Sequence, residues 1–135
     1  MNTPKIGYGF KKIVSLPLEE ADQRLREELK KEGFGVLTEI DVKATLKEKL
    51  NVDFRPYKIL GACNPPLAHQ ALTKETDIGL LLPCNVIVYQ GEEEGTSVVG
   101  VLDPSVQLGI TGRSDIDHLA SDVRARMERV LEALG

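Results

Sequence analysis

Two long stretches of the chain repeat apolar residues at the three- and four-residue spacing of an amphipathic helix. The first apolar stripe consists of Leu18, Ala21, Leu25 and Leu29. We expect Ser15 to cap this helix, Pro17 to stand in its first turn and Gly33 to follow its end. The second stripe closes the chain and consists of Ile116, Leu119, Val123, Met127, Val130, Leu131 and Leu134. Two long helices with one apolar face each need a common surface to cover.

Shorter apolar runs predict five strands that supply this surface. Their expected ranges are residues 6–14, 34–42, 57–63, 85–90 and 96–102. The last two strands flank residues 91–95 and are typical of a hairpin, and Asp103-Pro104 is expected to stop the second of them. Two short helices are expected as well, one at Val42–Leu50 and one after Asn64, whose side chain can cap it.

The order of these elements predicts a single domain over residues 1–135 with an α+β fold. In this two-layer sandwich, two long helices cover one face of an antiparallel sheet of about five strands. Because side chains alternate along a strand, one face of the second strand is expected to carry Phe34, Val36, Thr38 and Ile40, and the other face Leu37. The other sheet face is left for water or a partner, and we expect a homodimer to cover it.

Composition and charge narrow the classes of partner. Of the 135 residues, 41% are apolar but only 4% are aromatic, so the core is aliphatic. The net charge is −4, and the lysines between residues 30 and 49 alternate with acidic residues. This pattern disfavours a nucleic-acid partner. We do not expect residues 1–5 to begin a signal peptide, because no apolar stretch follows them, and no apolar run is long enough for a membrane span. We therefore expect a cytoplasmic protein with no membrane partner and with reduced cysteines.

The candidate chemistry is confined to two cysteines and one histidine. Cys63 is expected just before the helix that Asn64 caps, where free N–H groups and the helix dipole favour a thiolate. His69 lies about one turn into that helix. If the third and fourth strands pair antiparallel, Cys84 begins the strand beside the end of Cys63's strand. The two sulfurs are then expected to meet at one end of the sheet.

These residues leave several hypotheses open. Cys63, His69 and Cys84 are the catalytic candidates, as a redox thiol pair or as a thiol nucleophile polarised by the imidazole. The same three residues are the candidate metal ligands, although structural zinc usually has four. A small ligand or a protein partner is the leading hypothesis, with Asn64 and Asn85 as candidate contacts. In the remaining alternative, a scaffold or interaction protein, both cysteines are small apolar packing residues. The sequence specifies no cofactor and does not decide whether the protein is an enzyme.

Three strings of the sequence are distinctive in combination. They are GFGVLTEID at residues 33–41, ILGACNP at residues 59–65 and LLLPCNV at residues 80–86. Together they resemble the bacterial and archaeal family called domain of unknown function 302, and the likeness covers nearly the whole chain. The resemblance implies an antiparallel sheet packed against helices, similar to the TATA-box-binding-protein architecture, and a dimer. It implies no known activity, and a shared architecture does not imply DNA binding.

Overall fold

The computed structural model describes residues 5–135. The expectation that no signal peptide begins at residues 1–5 falls almost wholly outside this range. The strands are β1 (Lys5–Ile6), β2 (Gly9–Val14), β3 (Gly35–Asp41), β4 (Tyr57–Cys63), β5 (Cys84–Gln90) and β6 (Ser97–Leu102). The α-helices are α1 (Leu18–Lys31), α2 (Val42–Leu50), α3 (Pro65–Lys74), α4 (Pro104–Gly109) and α5 (Asp117–Ala133). Short 3₁₀ helices span Thr76–Leu81 and Ser114–Ile116.

The described strands form one antiparallel sheet in the order β1-β2-β6-β5-β4-β3. Side chains from α1 and α5 share a single apolar core with one face of this sheet. Leu25 and Leu29 of the first predicted stripe are fully buried, as are Met127 and Val130 of the second. The two-layer α+β sandwich predicted from the sequence is therefore confirmed.

The interior has two apolar clusters. The larger one joins the sheet to α1 and α5, with Leu60, Val86 and Val99 among its fully buried members. The smaller one consists of Ala71, Ile78, Leu108, Ile116, Leu119 and Ala120, with Leu67, Leu81 and Leu82 packed against it. It is formed by α3, α4, the start of α5 and both 3₁₀ helices. Because these clusters are separate, space for a site remains between them.

The N-terminal part of the fold departs from the predicted boundaries. Residues 6–14 are not one strand, because Gly7 and Tyr8 form a turn that pairs β1 with β2. The first helix is not capped by Ser15; Pro17 occupies the N-cap position, and no side chain caps the helix there. The apolar stripe of α1 nevertheless lies where its spacing predicts, since packing decides its orientation.

A bulge in β3 overturns the expected alternation of that strand. Val36 lies opposite Ala62 of β4, but Thr38 lies opposite Gly61, so Leu37 is an extra residue in the ladder. Because neighbouring residues of β4 point to opposite faces, Val36 and Thr38 do too. The expectation that these two side chains share a face was wrong. The bulge places Thr38 beside Gly61, near the end of β4.

The sheet face opposite α1 and α5 carries a group of apolar and aromatic side chains. We call it the open face and define it by Ile13, Ile40, Tyr57, Ile59, Ile87, Tyr89 and Val98. Ile13 is 67% exposed, and the rings of Tyr57 and Tyr89 stack with centroids 5.1 Å apart. Antiparallel sheets with one solvated face usually carry polar residues there.

Candidate functional site

A pocket of about 360 Å³ lies at the end of the sheet where β4 stops and β5 starts. Its wall is shared by the two apolar clusters. The larger cluster contributes Phe34, Ala62 and Cys84, and the smaller one contributes Ala71, Leu108 and Leu119. Both α3 and α4 pack against α5, but they do not fill the end of the sheet. The space that they leave is the pocket.

Both cysteines line this pocket, but their surroundings differ. Cys84 is only 6% exposed, and its burial raises the pKa of the thiol to about 12. Cys63 is half-buried, and both cysteines are free thiols. β4 and β5 pair antiparallel as expected, but the residue opposite Cys84 is Ala62. Cys63 is the next residue along the strand, so the pleat directs its side chain to the other face.

Asn64 lines the pocket and holds the start of α3 in place. Its Oδ1 accepts a hydrogen bond from the Leu67 backbone N–H at 3.3 Å, which confirms the predicted cap. Its Nδ2 donates to the Glu32 carbonyl at 3.4 Å, and Arg126 Nη1 donates to the same oxygen at 2.7 Å. Both ends of the Asn64 amide are thus engaged within the protein. The chief effect of this residue is to tie α3 to the chain between α1 and β3.

Gly61 sets the shape of the wall beside Cys63. A Cβ atom at this position would collide with Thr38 Oγ1 and would approach Pro83 Cγ to 2.7 Å. Thr38 and Pro83 both line the pocket, and the Leu82–Pro83 peptide bond is cis. Only glycine at this position lets the β3 bulge and the residue before β5 approach β4 so closely.

The other two residues proposed from the sequence lie away from the pocket. His69 is on α3, but its side chain is exposed and does not line the pocket. Asn85 is exposed and lies opposite Gly61. It lines a separate depression of about 220 Å³ near Ile87 and Gly100, on the side of the open face. Of the five candidate residues, the structure brings Cys63, Asn64 and Cys84 together at one pocket.

The contribution of α4 was not foreseen. Asp103 ends the last strand as expected but also caps α4, because its Oδ1 accepts a hydrogen bond from the Ser105 N–H at 2.9 Å. Pro104 then occupies the first turn. Gln107 of this helix is buried, lines the pocket and donates its Nε2–H to the Leu81 carbonyl. Asp followed by Pro is itself a helix-start signal, and it could have revealed α4.

Two other kinds of feature are absent from residues 5–135. No three His, Cys, Asp or Glu side chains in this range are grouped so that they could hold a metal ion, so Cys63, His69 and Cys84 form no such group. Among the helices of the same range, none is long and apolar enough to cross a bilayer.

The fold and the site together define a small two-layer α+β domain with an apolar pocket at one end of its sheet. The chain belongs to the family described as domain of unknown function DUF302, whose model matches residues 10–134. The crystal structure of an uncharacterised conserved DUF302 protein from Bacillus stearothermophilus is similar to it, with a TM-score of 0.87 and 34% identity. The similarity covers 96% of this chain and 100% of that one. A comparison with curated proteins finds no match.

Proposed function

We propose that this protein binds a small molecule in the pocket between Cys63, Cys84 and α3. The observation that carries the proposal is the pocket itself, about 360 Å³ in volume and lined mainly by apolar side chains. Ligand sites typically begin at about 300 Å³ and combine an apolar lining with a few polar groups. A cavity of roughly 150 Å³ already holds benzene. The pocket therefore has room for a ligand of two or more rings.

Binding explains the site better than thiol chemistry does. A nucleophilic or redox cysteine needs an accessible thiolate. The pKa of about 12 keeps the Cys84 thiol protonated at neutral pH, which speaks against its use as a resolving thiol. The exposed His69 does not line the pocket, so it is poorly placed to polarise a thiol there. A scaffold without a site gives no reason for a pocket of this size inside a small domain.

Fluorescence of the neutral probe N-phenyl-1-naphthylamine tests the proposal. Its emission should rise on binding to the native protein. Ala68 lines the pocket, so Ala68→Phe should fill the space and reduce the affinity at least about tenfold. Ala125 is exposed on α5, outside the pocket, and Ala125→Phe is the matched control that should bind like the native protein. Equal affinity in both variants would place the bound probe elsewhere and contradict the proposal.

We also propose that a second copy of the chain covers the open face. The residues that define this face are apolar or aromatic, with Ile13 and Ile40 well exposed at 67% and 49%, and the polar Lys11 and Asn85 stand beside them. Interfaces between identical subunits are more apolar than other interfaces, and a two-fold axis presents the same patch from both sides. Two such faces can pack as sheet on sheet.

The cytoplasmic location expected from the sequence stays a prediction.

Sedimentation velocity measures the proposed dimer directly. The native protein should sediment as a dimer at micromolar concentration, and Ile13→Lys should sediment as a monomer because it buries a charge in the interface. Leu80 is 89% exposed on the 3₁₀ helix Thr76–Leu81, which is not part of the open face, so Leu80→Lys is the control. A native protein that remains monomeric at high concentration would refute this assignment.

A further inference from the structure

The lining of the pocket contains no charged side chain. Within residues 5–135, Asp, Glu, Lys, Arg and His are all missing from the pocket wall, although charged residues make up 28% of the chain. The rim is apolar as well, because the exposed side chains of Leu37 and Leu72 line it. A ligand that enters this pocket therefore leaves water for surroundings that contain no charged side chain to balance a full charge.

The polar groups in the wall are already largely committed to the protein. Asn64 accepts from Leu67 and donates to Glu32, and Gln107 donates to the Leu81 carbonyl. The Cys84 thiol stays protonated through burial, so it supplies no negative charge to the pocket. The remaining polar groups of the wall include the hydroxyl of Thr38 and the thiol of Cys63, and they suit at most a neutral hydroxyl or carbonyl group.

Burial of an unpaired ion in such surroundings is much more costly than burial of a neutral group. An ionised carboxylate or ammonium group loses its hydration and finds no counter-charge, whereas a hydroxyl loses only one or two hydrogen bonds. The penalty is the same in kind for an anion and for a cation. The pocket should therefore select against charge of either sign rather than for one sign.

We propose that the pocket selects uncharged, mainly hydrocarbon ligands with the bulk of about two rings, and that it rejects their carboxylate and ammonium analogues. This inference rests on the proposed function, since it names the class of molecule that the same pocket takes. The volume of about 360 Å³ sets the size, and the uncharged wall sets the chemistry.

Three naphthalene derivatives of nearly equal shape separate charge from size. They are 2-naphthalenemethanol, which is neutral, 2-naphthoate, which is an anion, and 2-naphthylmethylammonium, which is a cation. Calorimetric titration of the native protein at pH 7 should give measurable binding of the alcohol. Both ions should bind at least about tenfold more weakly because neither finds a counter-charge.

The outcomes distinguish this inference from the proposed function beneath it. If an ion binds as tightly as the alcohol, and Ala68→Phe weakens both, the pocket binds ligands but the selection against charge is wrong. If Ala68→Phe and the gentler rim variant Leu72→Trp leave the binding of all three compounds unchanged, or if none of the three binds, the proposed function fails and the inference fails with it. Weak binding of both ions beside clear binding of the alcohol supports both statements.

Discussion

Ala62 lies directly opposite Cys84 across the ladder between β4 and β5, and Cys63 follows one position further along β4. The pleat of the strand then separates the two cysteines. Ala62 and Cys84 belong to the buried face beneath the helices, whereas Cys63 turns toward the other side and keeps part of its surface exposed. This one-residue offset makes the two thiols chemically different, and the following two predictions depend on it.

Alkylation should distinguish Cys84 from an ordinary thiol. Burial raises its pKa from 9.0 to about 12, so the reactive thiolate is scarce at pH 8. In the variant Cys63→Ser, which leaves Cys84 as the single thiol, iodoacetamide should react at least about a hundredfold more slowly with folded than with urea-unfolded protein. Mass spectrometry follows the reaction. Similar rates in the two states would show that the thiol is not buried as described.

The same burial should make stability depend on pH in alkali. The folded state holds the thiol proton more tightly than the unfolded state, so this contribution is complete below pH 9 and is lost as the pH rises toward about 12. Between pH 8 and about pH 10.5, the unfolding free energy of the native protein should therefore fall by about 1–2 kcal/mol relative to that of Cys84→Ala. Urea denaturation measures it, and a constant difference would contradict the shifted pKa. Other titrating groups cancel because both proteins share them.

Gly61 should be the least replaceable glycine of the site. In Gly61→Ala, the new methyl group meets Thr38 and Pro83, and we expect a loss of about 1–3 kcal/mol of unfolding free energy. Gly35→Ala is the matched control, since a Cβ atom at Gly35 meets nothing within 4 Å. It should cost less than about 0.5 kcal/mol.

A double-mutant cycle locates the cause of the Gly61 effect. Thr38→Ala removes the hydroxyl that the new methyl group would strike, so it should restore part of the stability lost in Gly61→Ala. Strictly additive losses in the double variant would show that the close packing of the β3 bulge on β4 is not responsible.

The ion pair between Asp22 and Lys58 should contribute to the attachment of α1 to β4. Lys58 Nζ lies 3.0 Å from Asp22 Oδ2, and the two side chains are only 14% and 10% exposed. Asp22→Asn leaves the Lys58 ammonium group with the exposed Glu19 as its remaining partner and also removes the carboxylate that accepts from Arg26 Nε at 2.8 Å. We expect these two losses together to cost about 2 kcal/mol in thermal or urea unfolding. Asp53→Asn, which breaks the exposed pair with Lys47, should stay within about 0.5 kcal/mol. Equal effects would mean that burial does not strengthen the inner pair.

Elements governed by strong local signals could be predicted from the sequence. β4 and α2 have the predicted bounds, and Asn64 caps α3 as its position before two prolines indicated. The apolar stripes of α1 and α5 also predicted that both helices lie in one layer against the sheet, because each helix has one apolar face to bury. These features depend on residues that are near one another in the chain.

The bulge in β3 and the pocket could not be predicted in the same way. Whether Leu37 is an extra residue depends on how Thr38 and Gly61 fit across two strands, which no local pattern encodes. The pocket wall combines residues from positions 34 to 123, and its volume depends on how two apolar clusters meet. Sequence reasoning located Cys63, Asn64 and Cys84 at one place but could not tell that space lies beside them.

The proposed binding of a neutral apolar molecule concerns the end of the sheet beside Cys63 and Cys84. Two-dimensional ¹H–¹⁵N NMR of the native protein, titrated with 2-naphthalenemethanol, tests it most directly. We predict saturable shifts of the backbone amides of Cys63, Ala68, Leu72, Cys84 and Gln107, with those of Ile13 and Tyr89 on the open face unchanged. Shifts confined to the open face, or no saturable shift at any amide, would contradict the claim.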